Sequence, residues 1–133
     1  MNNKKTGMKF ERKVLDMLAV DGWWAHFLSP DKSGAQPFDI IAIKNDAVLA
    51  LDCKTCADKS FSFSRIEDNQ FMAFQSLIWK TNVFCGFVIL HDDDIYLLSF
   101  TDILAEMKKG RGSVKLTEEY IQNASRYFKC YTN

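Results

Sequence analysis

The chain has 133 residues, 47% of them apolar, and balances 17 acidic against 17 basic side chains. That is enough for one domain with a real core, and it excludes a disordered polymer. No run approaches the ~18 apolar residues of a membrane span. Zero net charge argues against a general polyanion binder, and no apolar signal core follows the basic start MNNKKTGMKFERK. The expectation is a soluble, intracellular protein without a membrane partner.

In chain order, the spacing predicts a helix over 5–20, with Val14, Leu15 and Leu18 as its apolar stripe and Asp21-Gly22 as its stop. Glu11 borders that stripe, either as an edge salt-bridge partner or as an acid aimed at a site. Residues 23–28 read as a short strand, and SPDKSGAQP, 29–37, as a turn-rich loop. A hairpin follows over 38–54, then a connector or ragged strand over 57–64. A second helix is predicted over 65–80, with Ile66, Phe74, Leu77 and Ile78 facing inward and Gln70 on the same stripe. VFCGFVIL, 83–90, is continuous enough for a buried central strand. HDDD, 91–94, is a hairpin tip before IYLLSF resumes a strand. Thr101 or Asp102 caps a short helix through Met107, KKGRGS is a loop, and 117–128 is a helix capped by Thr117. Helices interleaved with strands imply an α/β fold with a mixed sheet flanked by helices.

Charge is uneven locally. Lys4, Lys5, Lys9, Arg12 and Lys13 surround one acid, Glu11, and Lys108, Lys109, Arg111 and Lys115 form a second basic group. Each is either a solvated face or a set of phosphate contacts. Cys53-x-x-Cys56 stands alone, with no second pair to complete a zinc site. Together with Cys85 and Cys130, these cysteines are expected as reduced, unlinked thiols.

The hairpin FDIIAIKNDAVLALDCKT, 38–55, is unusual at its root. With the turn at Asn45-Asp46, paired residue numbers sum to 91, so Asp39 falls opposite Asp52 and Lys54 shares its face. Facing like charges destabilise a sheet, and burial beside aliphatic neighbours makes this worse. Either a divalent cation and Lys54 neutralise the pair, or Asp39 sits at a solvated strand end and Asp52–Lys54 is a surface ion pair.

At these residues the chain resembles the PD-(D/E)XK nucleases: Pro37-Phe38-Asp39 matches the first part of their motif and Asp52-Cys53-Lys54 the second. Gly7-Met8-Lys9-Phe10-Glu11-Arg12 resembles the opening of archaeal Hjc-type Holliday-junction resolvases. Asp21-Gly22-Trp23, the Ser33-Gly34 loop and the block PFDIIAIKNDAVLALDCK follow in their order. Ile66 to Gln70, Gly86 to Leu90 and Tyr96-Leu97-Leu98 are similar to blocks of bacterial RecU resolvases.

The resemblance implies a restriction-endonuclease-like three-layer core and a metal-dependent endonuclease that cuts branched DNA as a homodimer. It implies that Asp39, Asp52, the Cys53 carbonyl and Glu11 hold magnesium, with manganese as the substitute. Lys54 would position the attacking water, Gln70 would contact the site, and Ser33 would lie near the scissile phosphate. Lys4, Lys5, Lys9, Arg12 and Lys13 would touch DNA. The chain departs from the resolvase pattern in having Asp52 where Glu is usual, and His26 and Phe27 where a basic residue is expected. A repair, phage or restriction-like nuclease, or an inactive binding module on the same fold, is the alternative.

Overall fold

The computed structural model describes residues 3–30, 32 and 36–128, with the side chains of residues 3 and 4 excepted. Helix α1, Asn3–Val20, buries Phe10, Val14, Met17 and Leu18, one stripe of a 3.6-residue period. Gly22 ends it at φ +91, a conformation that favours glycine. Trp23 N–H closes the turn on Leu18 O at 3.0 Å.

Strand β1, Trp24–Phe27, lies at the edge of a five-stranded sheet. Strands β2, Ile40–Lys44, and β3, Ala47–Thr55, form the expected hairpin, and Ile40 pairs with Leu51 and Lys44 with Ala47. Strand β5, Phe84–His91, runs parallel to β3, and β6, Asp94–Ser99, returns antiparallel to β5. The order β1-β2-β3-β5-β6 makes the sheet mixed. The β5–β6 turn uses Asp92 and Asp93 at positive φ, which matches the strand twist in a two-residue hairpin.

Helix α1 lies on one face of the sheet, in a core cluster with Ile40, Leu49, Leu51, Val88 and Leu97. Helices α2, Asp68–Lys80, and α3, Phe100–Lys108, lie against the other, where Ala50, Phe87, Ile89 and Leu98 point. Phe74 of α2 anchors that side, edge-on to Phe87 at 5.4 Å and stacked on Phe38 at 5.8 Å. Helix α4, Glu118–Ser125, packs on β6. Among the described residues, no helix is long and apolar enough to cross a membrane.

Several boundaries differ from expectation. Helix α2 starts at Asp68 rather than residue 65, because Glu67 N–H is taken by the Gln70 side chain at 3.2 Å, which caps the helix there. Ile66 therefore lies outside the helix, after a 3-10 turn at Phe63–Arg65. The ragged connector contains a strand, β4 at Ser60–Ser62, and the predicted loop ends in its partner, β7 at Ser113–Lys115. The cap of α3 is Ser99, whose Oγ accepts from Asp102 N–H at 3.1 Å, not Thr101 or Asp102.

Candidate active site

The hairpin root opens where the sequence places its carboxylates. The β2–β3 ladder ends at Ile40–Leu51, one step short of Asp39–Asp52. Asp39 stays tied to the β1 side, its carbonyl accepting from Leu28 N–H at 2.9 Å, while its own N–H reaches Leu51 O at 3.0 Å. Its side chain then crosses the gap: Oδ2 accepts from Cys53 N–H at 2.8 Å and Oδ1 from the Gln36 amide at 2.6 Å. The carboxylate thus takes the place that the next β2 carbonyl would fill, and the splayed end becomes a cleft.

Asp52 projects towards the α2 side and is 1% exposed. Neither of its carboxylate oxygens has a hydrogen-bond partner among the described residues. Lys54 Nζ lies 3.2 Å from Oδ2, an ion-pair contact without hydrogen-bond alignment. The same ammonium donates to Gln70 Oε1 at 3.3 Å, so one glutamine oxygen both caps α2 and holds Lys54. Burial, then the negative charge of Asp39, pushes the Asp52 carboxyl up from 3.8 to about 8, and Lys54 offsets only part of this.

Glu11 approaches from α1, on the opposite side of the sheet. Burial and the neighbouring Asp39 charge raise it from 4.5 to about 7. Glu11, Asp39, Asp52, Lys54 and Gln70 line one cavity of about 600 Å³. Cys53 lies at its wall. Its N–H leaves the strand edge towards Asp39, and the carbonyl of a strand residue leaves on the same edge as its N–H.

Two residues here carried no signal in the sequence. Gln36 holds Asp39, and Asn69 donates to the Gln36 carbonyl at 2.8 Å, tying the loop to α2. Both are polar residues in or beside turn-rich segments, where no periodicity singles one out. Ser33 and Cys130 lie outside the described residues, as does the side chain of Lys4. Lys5, Lys9, Arg12 and Lys13 are exposed along α1, and Arg12 pairs with Asp16 at 3.5 Å. In the second basic group, Glu106 takes both Arg111 (2.8 Å) and Lys109 (3.6 Å), which reduces its pull on phosphates. Burial raises the Cys53 and Cys56 thiols, away from the thiolate that zinc or redox chemistry needs.

Among the described residues, no three His, Cys, Asp or Glu side chains already surround a common metal position. The donor set nevertheless fits a hard cation. It consists of oxygens, two of them buried on Asp52 without a hydrogen-bond partner, and burial, then the neighbouring Asp39 charge, holds Asp52 and Glu11 towards their protonated forms.

The family profile described as "Archaeal holliday junction resolvase (hjc)" matches residues 2–125. No curated protein matches the chain. The fold is similar to a solved structure of Hjc from Archaeoglobus fulgidus, a Holliday junction resolvase from an archaeal hyperthermophile. The TM-score is 0.57 at 18% identity, over 70% of this chain and 76% of that one. At that identity the structural likeness speaks to fold alone.

Proposed function

We propose, from the premise that this chain belongs to the archaeal Holliday junction resolvase (Hjc) family, that it is a magnesium-dependent endonuclease and that the cleft at the hairpin root is its active site. Resolving four-way DNA junctions is the activity the family carries. The observation that supports the assignment of the cleft is Asp52: a buried carboxylate whose two oxygens have no hydrogen-bond partner among the described residues, beside Asp39, Glu11 and Lys54.

In this reading Asp39, Asp52, Glu11 and the Cys53 carbonyl would hold magnesium, and manganese would substitute for it. A divalent cation bound there would neutralise the scissile phosphate and lower the pKa of a water. The residues do the remaining work. Gln36 and Cys53 N–H fix the two oxygens of Asp39, so that carboxylate is preorganised. Lys54, steadied by Gln70, presents N–H donors to the attacking water and to the charge growing on the phosphate. Glu11, raised to about 7 by burial and Asp39 in the absence of a cation, would give up its proton on joining the metal ligands. Ser33, outside the described residues, is assigned to the phosphate by the resemblance alone.

The basic face of α1, with Lys5, Lys9, Arg12 and Lys13, tracks the DNA backbone and makes binding salt-dependent, and Lys4 is assigned to the same contacts by its place in the sequence alone. A homodimer presents two such sites to two strands of a junction. The test is cleavage of a labelled panel (four-way junction, flap, linear duplex, single strand) with magnesium or manganese. Paired symmetric cuts confined to the junction and lost in Lys54→Ala support the reading. Cuts across the whole panel remove junction selectivity, and no cutting with DNA still bound favours an inactive binding module.

A further inference from the structure

We propose that a second, apolar cavity beside the cleft receives one unstacked nucleobase of the DNA, next to the phosphate being cut; this rests on the nuclease reading above. The cavity measures about 300 Å³ and is lined by Met8, Arg12, Phe27 and Leu28. Its remaining wall is Glu11, Gln36 and Asp39, which also line the catalytic cleft. The two cavities therefore meet at the carboxylates, one polar and one apolar, as a phosphate and its own base require.

The local fold explains why the cavity exists. Met8, Glu11 and Arg12 sit three and four residues apart on α1 and share a face. Phe27 is the last residue of β1, and strand alternation turns it with Ala25 to the α1 side. The ring thus lines the same cavity as Met8. Both stay unusually exposed for their type, Met8 at 60% and Phe27 at 42%. Large apolar side chains left open beside a catalytic cleft mark a binding surface rather than a packing defect.

Base chemistry suits this surface. An aromatic ring and a thioether offer π-face and dispersion contacts to any base, without sequence selectivity. Arg12 stands at the rim, and its pair with Asp16 is exposed and weak enough to yield to a phosphate. A base can enter only by leaving its stack, which is least costly where pairing is interrupted. Phe27 and Met8 would then favour branched or unpaired positions over continuous duplex, though no residue here reads sequence.

The experiment maps the cut in a four-way junction, then removes the base on either side of it by placing a single abasic nucleotide there. Single-turnover rates are measured for the wild type, Phe27→Ala, Met8→Ala and Phe27→Tyr. Loss of the docked base should slow the wild type about tenfold at one of the two positions. Phe27→Ala should lose a similar factor on the intact junction and become indifferent to the abasic site, whereas Phe27→Tyr should behave as wild type. A merely structural role for Phe27 would make the two defects multiply, and that overturns the proposal. So does an intact junction cut as fast as both abasic ones, which leaves the nuclease reading standing. An intact junction left uncut overturns both. A change in solution mass on Phe27→Ala would assign the patch to a contact between copies and also overturns the proposal.

Discussion

The main-chain N–H of Cys53 donates to Asp39 Oδ2 across the splayed root of the hairpin, at 2.8 Å. This bond converts a strand end into one wall of the candidate site. It orients one carboxylate from β3, on which Asp52 and Lys54 also sit, so three chemically active groups are fixed relative to one main-chain segment. A site built on strands is held more closely than one carried by loops.

Lys54 is the cation of the cleft, 14% exposed and in contact with both Asp52 and Gln70. Lys54→Ala should lower single-turnover junction cleavage by about 10²–10³-fold, the usual cost of removing one preorganised donor. Affinity for the junction in a gel shift should change little if, as proposed, the basic face of α1 carries the backbone contacts. A loss of binding as large as the loss of cleavage would assign Lys54 to DNA affinity instead.

Asp52 opposes folding when it is ionised without a cation, because burial and Asp39 both disfavour its charge. Asp52→Asn should therefore abolish cleavage yet raise the Tm of the metal-free protein at pH 8.5. A gain of about 1 kcal/mol corresponds to roughly 4 °C in a chain of this size. Magnesium should raise the Tm of the wild type and leave Asp52→Asn nearly unmoved. Equal magnesium shifts in both proteins would place the cation elsewhere.

The same groups set a pH dependence. Asp52 rises from 3.8 to about 8 and Glu11 from 4.5 to about 7 on folding. Between about pH 4 and pH 8 the folded protein keeps protons that the unfolded chain has released, so rising pH costs stability. Their contribution is fully present below about pH 4, is lost as pH climbs through 7 and 8, and is level above that. In EDTA, the Tm should fall from pH 5 to pH 8.5, and saturating magnesium should flatten the fall by taking the place of the protons. A metal-free Tm that is flat or rising over this range would mean that the carboxylates are not crowded.

The sheet was legible in the sequence because its pairings are local or strongly patterned. Residue numbers summing to 91 gave the β2–β3 register, and the apolar run 83–90 gave the central strand. The facing of Asp39 and Asp52 was read from the same sum, but the ladder stops one residue short of it. Alternation alone does not show where a pair of strands splays. Gln36 and Asn69 were missed because their roles depend on one loop conformation; β4 was read only as a connector or ragged strand, and β7 was missed because it is three residues long and pairs across more than fifty. Gln70 stood out as a polar group on an apolar stripe, although the stripe was drawn one turn too long.

Gln70 joins stability to the site through a single oxygen, which takes Glu67 N–H at the start of α2 and Lys54 Nζ in the cleft. Gln70→Ala should cost about 1 kcal/mol of stability through the lost cap. It should also slow cleavage about tenfold by freeing Lys54, about one charged hydrogen bond's worth. Gln70→Glu keeps the acceptor and should recover most of the cleavage at saturating magnesium. Thermal melts and single-turnover rates on the same preparations separate the two effects. A rate defect that Gln70→Glu leaves in place would show that Lys54 is positioned without Gln70.

Gly86 lies in β5 beside Ser99 of β6, in the buried centre of the sheet. A Cβ added there would run into the main-chain carbonyl of Leu98 and press on the Phe84 ring. The carbonyl belongs to a paired strand with helix α3 beginning two residues on, so it cannot swing aside as a flexible side chain would. Gly86→Ala should therefore destabilise the fold by about 2 kcal/mol or more, the range for overpacking a close-packed core. Gly110, at positive φ with open space around it, is a control of the opposite kind. Gly110→Ala should cost about 1 kcal/mol, through backbone strain alone. Urea melts of both variants check the ranking, and cleavage by whatever Gly86→Ala remains folded should be near normal, since β5 supplies no side chain to the cleft. A Gly86→Ala protein as stable as the wild type would mean that β5 and β6 lie further apart at this point than described.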